Sequence, residues 1–313
     1  MGDGPVNGPV SRLVCAGEAI VDMLMRVPAL PGRGADMLAE SASVEVGGGF
    51  NIMAAAARQG LPVVYAGGHG TGPWGGKVRA ALAAEGIGLL RPPYPDADTG
   101  FTVGLVEPDG ERTFVTALGA ESLRQPGAWD LVRLRPGDAV YISGYGLVPA
   151  GSGQVLGAWA AGLPSGVVLF ADPGPLVADI PGAVLDPVLA RCDWWSCNRR
   201  EAGLLTGSDD PAEAARRLLR RTGRASVIVR SGPDGCVLAT RVSLSHVAAP
   251  AVTAVDTTGA GDAHSGVFLA GLAAGLRPGE AARRANAAAA LAVTRAGAAT
   301  SPTRAALDRF LAR

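Results

Sequence analysis

The seven residues Asp256-Thr-Thr-Gly-Ala-Gly-Asp262 hold the spacing in this chain best suited to chemistry. Asp256, Thr257 and Thr258 turn the chain, and the small and apolar residues from Ala260 to about Ala274 suit a helix. A helix start leaves backbone amides unpaired, and its dipole favours negative charge. Glycine at 259 and 261 lets a ligand come close to that backbone, so the tip is a ready anion hole. Asp262 stands beside it, where a carboxylate would otherwise repel an anion. Its presence makes sense if it takes a proton from an attacking hydroxyl while the amides hold developing phosphoryl charge. The plainer alternative is a tight strand-to-helix turn with Asp262 as a first-turn acid.

Other segments must position this tip. Val252 to Val255 reads as the end of a buried strand leading into it. Near the N-terminus, Leu13 to Ala16 reads as a buried strand, and Ala19 to Val27 as a second extended piece carrying Asp22. A lone carboxylate in an apolar run is costly, so Asp22 caps a turn, meets an arginine or accepts two sugar hydroxyls. Gly47, Gly48 and Gly49 give close access to a ligand, and Asn51 opens an alanine-rich helix, where its plain role is the N-cap. Thr102 to Glu107 and Arg112 to Ala117 flank Pro108-Asp-Gly110, a hairpin signal.

From Asp138 strands alternate with helices: Ala139 to Ile142, Val167 to Ala171, Trp194 to Cys197 and Ser226 to Val229 each end in a polar loop. That order argues for a mostly parallel sheet covered on both faces, with ligands at the carboxyl ends of its strands. Asn198 and Glu201 fall one helical turn apart, suited either to a hydrated Mg²⁺ or to a capping box.

Lys and Arg total 28 against 28 Asp and Glu, so bulk charge favours neither nucleic acid nor an anionic membrane. Cys15, Cys192, Cys197 and Cys236 form no Cys-x-x-Cys pair and read as buried, reduced thiols. Met1 to Ser11 is polar and rich in glycine and proline, with no apolar signal core, and no apolar run reaches membrane-spanning length. The expectation is a soluble, cytoplasmic enzyme. A dinucleotide-dependent oxidoreductase is disfavoured, because its glycine fingerprint belongs after the first strand.

The run 256–262 closely resembles the C-terminal signature of the ribokinase-like (PfkB) family of carbohydrate kinases, and the likeness extends over roughly residues 13 to 311. The resemblance implies an α/β fold: a ribokinase-like three-layer α/β/α sandwich with a mostly parallel central sheet. It implies one domain, 1–313, with a small β-sheet lid formed by segments at about 19–46 and 98–118. It implies transfer of the ATP γ-phosphate to a sugar hydroxyl, with Asp262 as base and Gly259, Ala260 and Gly261 as anion hole. Asp22, Gly47, Gly48 and Asn51 match the sugar-binding positions. Asn198, Glu201, Ser231, Gly232, Gly235 and Asn286 match the nucleotide side, with Glu201 reaching Mg²⁺ through water. A monovalent cation, K⁺, would sit beside Asp256 and Thr258 against carbonyls around 293–301.

Two departures stand out. The family's first glycine pair falls on Val46-Gly47, and an acid usual before the aromatic-Gly pair is replaced by Gly72. Arg230 stands where many relatives carry Thr, either adding charge near ATP phosphates or forming a surface salt bridge. Leu105 to Phe114 and Asp262-Ala-His264 resemble a bacterial subgroup of uncharacterised sugar kinases. His264 either lines the sugar pocket or hydrogen-bonds within the helix start. The implied partner is a small sugar, with a nucleoside, or sugar binding without catalysis, as alternatives. The lid edge permits a homodimer.

Overall fold

In the computed structural model, which describes residues 10–312, strands alternate with helices along most of the chain. Residues 1–9, which hold most of the polar N-terminal stretch read above, and Arg313 lie outside the described residues. In chain order the first half is β1 (Arg12–Cys15), β2 (Ala19–Arg26), β3 (Ser41–Gly48), α1 (Gly49–Arg58), β4 (Val63–Tyr65), α2 (Pro73–Ala84), β5 (Gly88–Leu89), β6 (Phe101–Val106) and β7 (Arg112–Ala117). The second half is β8 (Asp138–Ser143), α3 (Ser152–Ala161), β9 (Val168–Asp172), α4 (Gly182–Arg191), β10 (Trp194–Asn198), α5 (Arg199–Thr206), α6 (Pro211–Thr222), β11 (Ser226–Arg230), β12 (Cys236–Ala239), β13 (Leu244–Val247), α7 (Ala260–Ala273), α8 (Pro278–Ala292) and α9 (Arg304–Leu311).

Nine strands form the large sheet in the order β13-β12-β11-β10-β9-β8-β1-β4-β5, parallel except where β12 pairs β11 and β13. Alternate residues of one strand serve opposite faces. Val14, Val140, Leu169, Trp195 and Val229 meet Leu156 of α3, Leu185 of α4 and Leu218 of α6. Leu13, Tyr141, Phe170 and Ile228 meet Met53 of α1, Leu82 of α2, Phe268 of α7 and Ala285 of α8. The expected three layers result. A separate four-stranded sheet, order β3-β2-β6-β7, is built from residues 19–48 and 101–117; β2 and β6 run parallel and its two outer pairs antiparallel.

Two expectations need correction. Val252 to Val255 is not a strand: the chain leaves the sheet after β13, and Val252 and Val255 are 37% and 63% exposed. Among the described residues these four meet no neighbouring strand, and the amides of Val255 and Asp256 both donate to the Val293 carbonyl instead. Asn51 is not an N-cap. α1 starts two residues earlier, with Gly48 at φ +61° as its cap, where a Cβ would lie 2.5 Å from the Glu18 carbonyl oxygen.

The missing acid at Gly72 is replaced from elsewhere. Asp98 accepts the Trp74 amide at 3.0 Å and the Gly75 amide at 2.7 Å, capping α2 from another segment. A side chain at 72 would collide with that carboxylate, since a Cβ there would stand 2.4 Å from it.

Candidate active site

Asp262 is the third residue of α7, and the helix tip before it is bare. Gly259 is the cap at φ +71°, and a Cβ there would lie 2.0 Å from the Ala298 carbonyl oxygen. Only glycine fits that conformation and that contact. No side chain caps the helix, and among the described residues no protein acceptor meets the amides of Gly261 and Asp262. Two donors therefore point outward beside a carboxyl group.

Packing between α1 and α7 brings the second functional side chain to that acid. Gly266, one turn beyond Asp262, lets the helices touch, because a Cβ there would stand 2.6 Å from the Ile52 carbonyl oxygen. Asn51 Nδ2 then donates to Asp262 Oδ2 at 3.1 Å. Burial pushes the Asp262 carboxyl up to about 7; the Asn51 bond and Arg230 act against this, while Asp172 and Asp22 add to it. A group in that range serves as a general base near neutral pH.

Asp22 lies on β2 opposite Glu45 of β3. Burial, followed by the charge of Glu45, pushes its carboxyl up to about 6. Neither a turn amide nor an arginine reaches it among the described residues, so the two structural roles considered for it are not filled. Gly47 makes room for it: a Cβ there would lie 1.9 Å from Asp22 Oδ2. Gly47, Gly48 and Asn51 thus fall on one junction between β3 and α1.

At the carboxyl end of β11, Ser231 and Gly232 open a tight turn. Gly232 has φ +58° with nothing within 4 Å of a Cβ, and the buried Ser231 Oγ has no partner. Gly235 serves the fold, since a Cβ would meet the Val247 carbonyl oxygen at 2.1 Å. Asn286 Nδ2 donates to the Val247 carbonyl at 2.7 Å, which ties α8 to the end of β13. Its amide is engaged there.

Asn198 and Glu201 do form a capping box. Asn198 Oδ1 accepts the Glu201 amide at 2.8 Å, and Glu201 Oε2 accepts the Asn198 amide at 2.7 Å. Burial, and then the charge of Asp172, pushes the Glu201 carboxyl up to about 6. Two carboxylates that repel one another suit a hard, hydrated divalent cation. Among the described residues no group of three His, Cys, Asp or Glu side chains could hold a metal directly, and these two carboxylates would meet Mg²⁺ only through water.

The monovalent cation fits less well. Asp256 Oδ1 accepts the Thr258 amide at 2.9 Å, the Thr258 hydroxyl at 2.7 Å and the Arg112 guanidinium, while Oδ2 accepts the Gly297 amide at 3.0 Å. Burial works to raise this carboxyl, but those partners hold it below the usual range. The side chains of Asp256 and Thr258 are thus spent on each other and on protein donors. On the segment whose carbonyls were expected around that ion, the Ser301 hydroxyl is buried without a partner.

Three residues here were not singled out or not resolved in the sequence. Arg230 is neither on the surface nor free: its Nη1 donates to Asp172 Oδ2 at 2.6 Å. Asp172, at the carboxyl end of β9, shares the position in the sheet that marked the other candidates, which was the available signal. His264 is 2% exposed, and neither ring nitrogen makes a hydrogen bond of good geometry, although Asn286 lies beside it. Burial, followed by the charge of Arg230, pushes its imidazole down to about 3, and it stacks on Phe268 as a neutral core ring.

An open α/β sheet, a bare helix tip and a carboxyl raised toward neutrality are the parts that phosphoryl transfer calls for. The chain belongs to the pfkB family of carbohydrate kinases, whose family model matches residues 10–305. It is 34% identical over 296 residues to the uncharacterized sugar kinase YegV of Escherichia coli (strain K12), covering 93% of this chain and 91% of that one. It is 31% identical to a fructokinase of Klebsiella pneumoniae, covering 86% of each. Its fold matches a putative ribokinase II from E. coli, solved in complex with ATP and Mg²⁺, with a TM-score of 0.82 at 24% identity, over 97% of this chain and all of that one.

Proposed function

We propose that this chain is an ATP-dependent sugar kinase, carrying the γ-phosphoryl group of ATP to a hydroxyl of a small carbohydrate at the tip of α7. The observation that carries this reading is the pair of unpaired amides, Gly261 and Asp262, beside a carboxyl pushed up to about 7. The acceptor hydroxyl lies against Asp262, which takes its proton as the oxygen–phosphorus bond forms. Asn51 holds the carboxylate toward that hydroxyl. The free amides of Gly261 and Asp262 face the charge that develops on the transferred group, whereas the Ala260 amide of the expected hole is engaged by the Thr257 carbonyl.

Asp22 accepts sugar hydroxyls, and Gly47 and Gly48 bring the backbone to the ring. Ser231 and Gly232 border the nucleotide, near Asn198 and Glu201. Mg²⁺, when bound with ATP as in the E. coli ribokinase II structure, offsets phosphate charge, and Glu201 and Asp172 would orient its water. The small sheet serves as a lid that excludes water from the sugar side. Phe114 and Val115 lie exposed on its edge strand β7, the surface through which a second copy would pair. No helix among the described residues is long and apolar enough to cross a membrane, and the four cysteines are free and buried, which suits a reducing cytoplasm.

Sugar-dependent ADP release over a panel of sugars and nucleosides tests the reading and names the acceptor. Asp262→Asn should lower turnover by about 10²–10⁴-fold with sugar binding kept. Wild-type turnover in that variant would refute the role of the base, and sugar binding without ADP release in the unaltered protein would favour a sensor.

A further inference from the structure

A guanidinium stands beside the tip of α7 with donors to spare. Arg230 Nη1 donates to Asp172 Oδ2 at 2.6 Å and to the hydroxyls of Ser196 and Ser265, each at 3.1 Å. The two hydrogens of Nη1 are shared among these three acceptors, which fixes the plane of the group. A Cβ added to Gly261 would lie 3.3 Å from the Arg230 Cζ, so the charge rests against the second residue of α7. The Nη2 and Nε donors have no hydrogen-bond acceptor among the described residues, and the side chain keeps 13% of its surface exposed. The nearest carboxylate oxygen to Nη2, on Glu201, is 3.8 Å away. An arginine that served only to neutralise Asp172 and Glu201 would close that gap with a second hydrogen bond.

We infer that Arg230 completes the anion hole, its Nη2 and Nε binding a non-bridging oxygen of the phosphoryl group under transfer. This rests on the kinase reading above and adds to it a catalytic residue. The bond from the acceptor oxygen to phosphorus forms and the bond from phosphorus to the bridging oxygen breaks. The acceptor's proton goes to Asp262, and Arg230 stays protonated throughout. Its role is to hold a planar fork where charge accumulates, a geometry that an ammonium group does not supply. Asp172 supplies the stiffness.

The test compares Arg230→Thr, Arg230→Lys and the double variant Asp172→Asn/Arg230→Thr, which removes both charges of the pair so that neither is left buried alone. Sugar-dependent ADP release is read beside the affinity for ADP alone and for ADP with aluminium fluoride, a mimic of the phosphoryl group in flight. Arg230→Thr and the double variant should both lose about 10²–10³-fold in kcat. In Arg230→Thr the sugar KM and ADP affinity should stay near wild type while affinity for the aluminium fluoride complex falls with kcat; in the double variant, which also loses the Asp172 charge, the fluoride complex should lose more affinity than ADP does. Arg230→Lys should fall between. Near-wild-type turnover in either threonine variant, or equal loss of affinity for ADP and its fluoride complex, would overturn the inference. Failure of the unaltered protein to release ADP is read first, and it defeats the kinase reading itself before any arginine variant is made.

Discussion

Asn51 Nδ2 donates to Asp262 Oδ2 at 3.1 Å across 211 residues of sequence, joining the first turns of α1 and α7. The bond favours the ionised carboxylate and so lowers a group that burial raises. Asn51→Ala should therefore move the acid limb of the kcat/KM profile to higher pH and lower the rate at pH 7 about tenfold. Gly266→Ala reaches the same bond by another route, because its Cβ would stand 2.7 Å from that of Ala55 and force the helices apart. A pH profile unmoved in both variants would show that the contact does not tune the base.

The raised carboxyl also has a consequence for stability. Asp262 sits at about 7 in the fold against an ordinary value near 3.8, so the folded state binds its proton more tightly than the unfolded chain. Its contribution is fully present below the unfolded value and is lost as pH rises through about 7. Asp262→Asn carries no such charge. It should be more stable than the parent at pH 8, by about 1–2 kcal/mol, and no more stable near pH 4. Thermal unfolding without ligands at both pH values measures this, and an equal difference at the two would contradict it.

Much of this arrangement was legible because it is local. The signature from Asp256 to Asp262, the hairpin at Pro108-Asp-Gly110 and the strands β1, β8, β9, β10 and β11 each follow from spacing within one segment. What was hidden is pairing at a distance. Asn51 read as a cap because its partner stands on another helix. The acid missing at Gly72 is supplied by Asp98, 24 residues from the Trp74 amide it caps, and nothing local announces it. Val252 to Val255 carried an apolar pattern with no strand beside it, and Arg230 looked ambiguous until Asp172, 58 residues away, was placed against it.

Arg112 of β7 reaches Asp256 in the loop before α7, so the small sheet is tied to the anion hole by an ion pair. Glu45 of β3 touches the same region, its carboxylate lying 3.2 Å from where a Cβ of Gly297 would stand. If that sheet shields the reaction, Arg112→Ala should let water compete. The ratio of ADP released to sugar phosphate formed should rise from near one, with sugar-independent ATP hydrolysis up about tenfold. A ratio that stays near one would mean the tie does not govern closure.

Asp22 and Gly47 offer two ways to disturb one carboxylate. Asp22→Asn removes its charge, and the remaining amide accepts fewer hydroxyl bonds. Gly47→Ala keeps the charge but displaces it, because the new methyl would fall 1.9 Å from Oδ2. Gly47 is not among the positive-φ glycines, so the substitution strains the side chain and not the backbone. Both variants should raise the sugar KM, by about 10–100-fold for Asp22→Asn, and leave the ATP KM unchanged. In the unaltered protein the sugar KM should fall as pH rises through about 6, where Asp22 ionises, and Asp22→Asn should flatten that dependence. A sugar KM that ignores both substitutions would place the acceptor elsewhere on the β3–α1 junction.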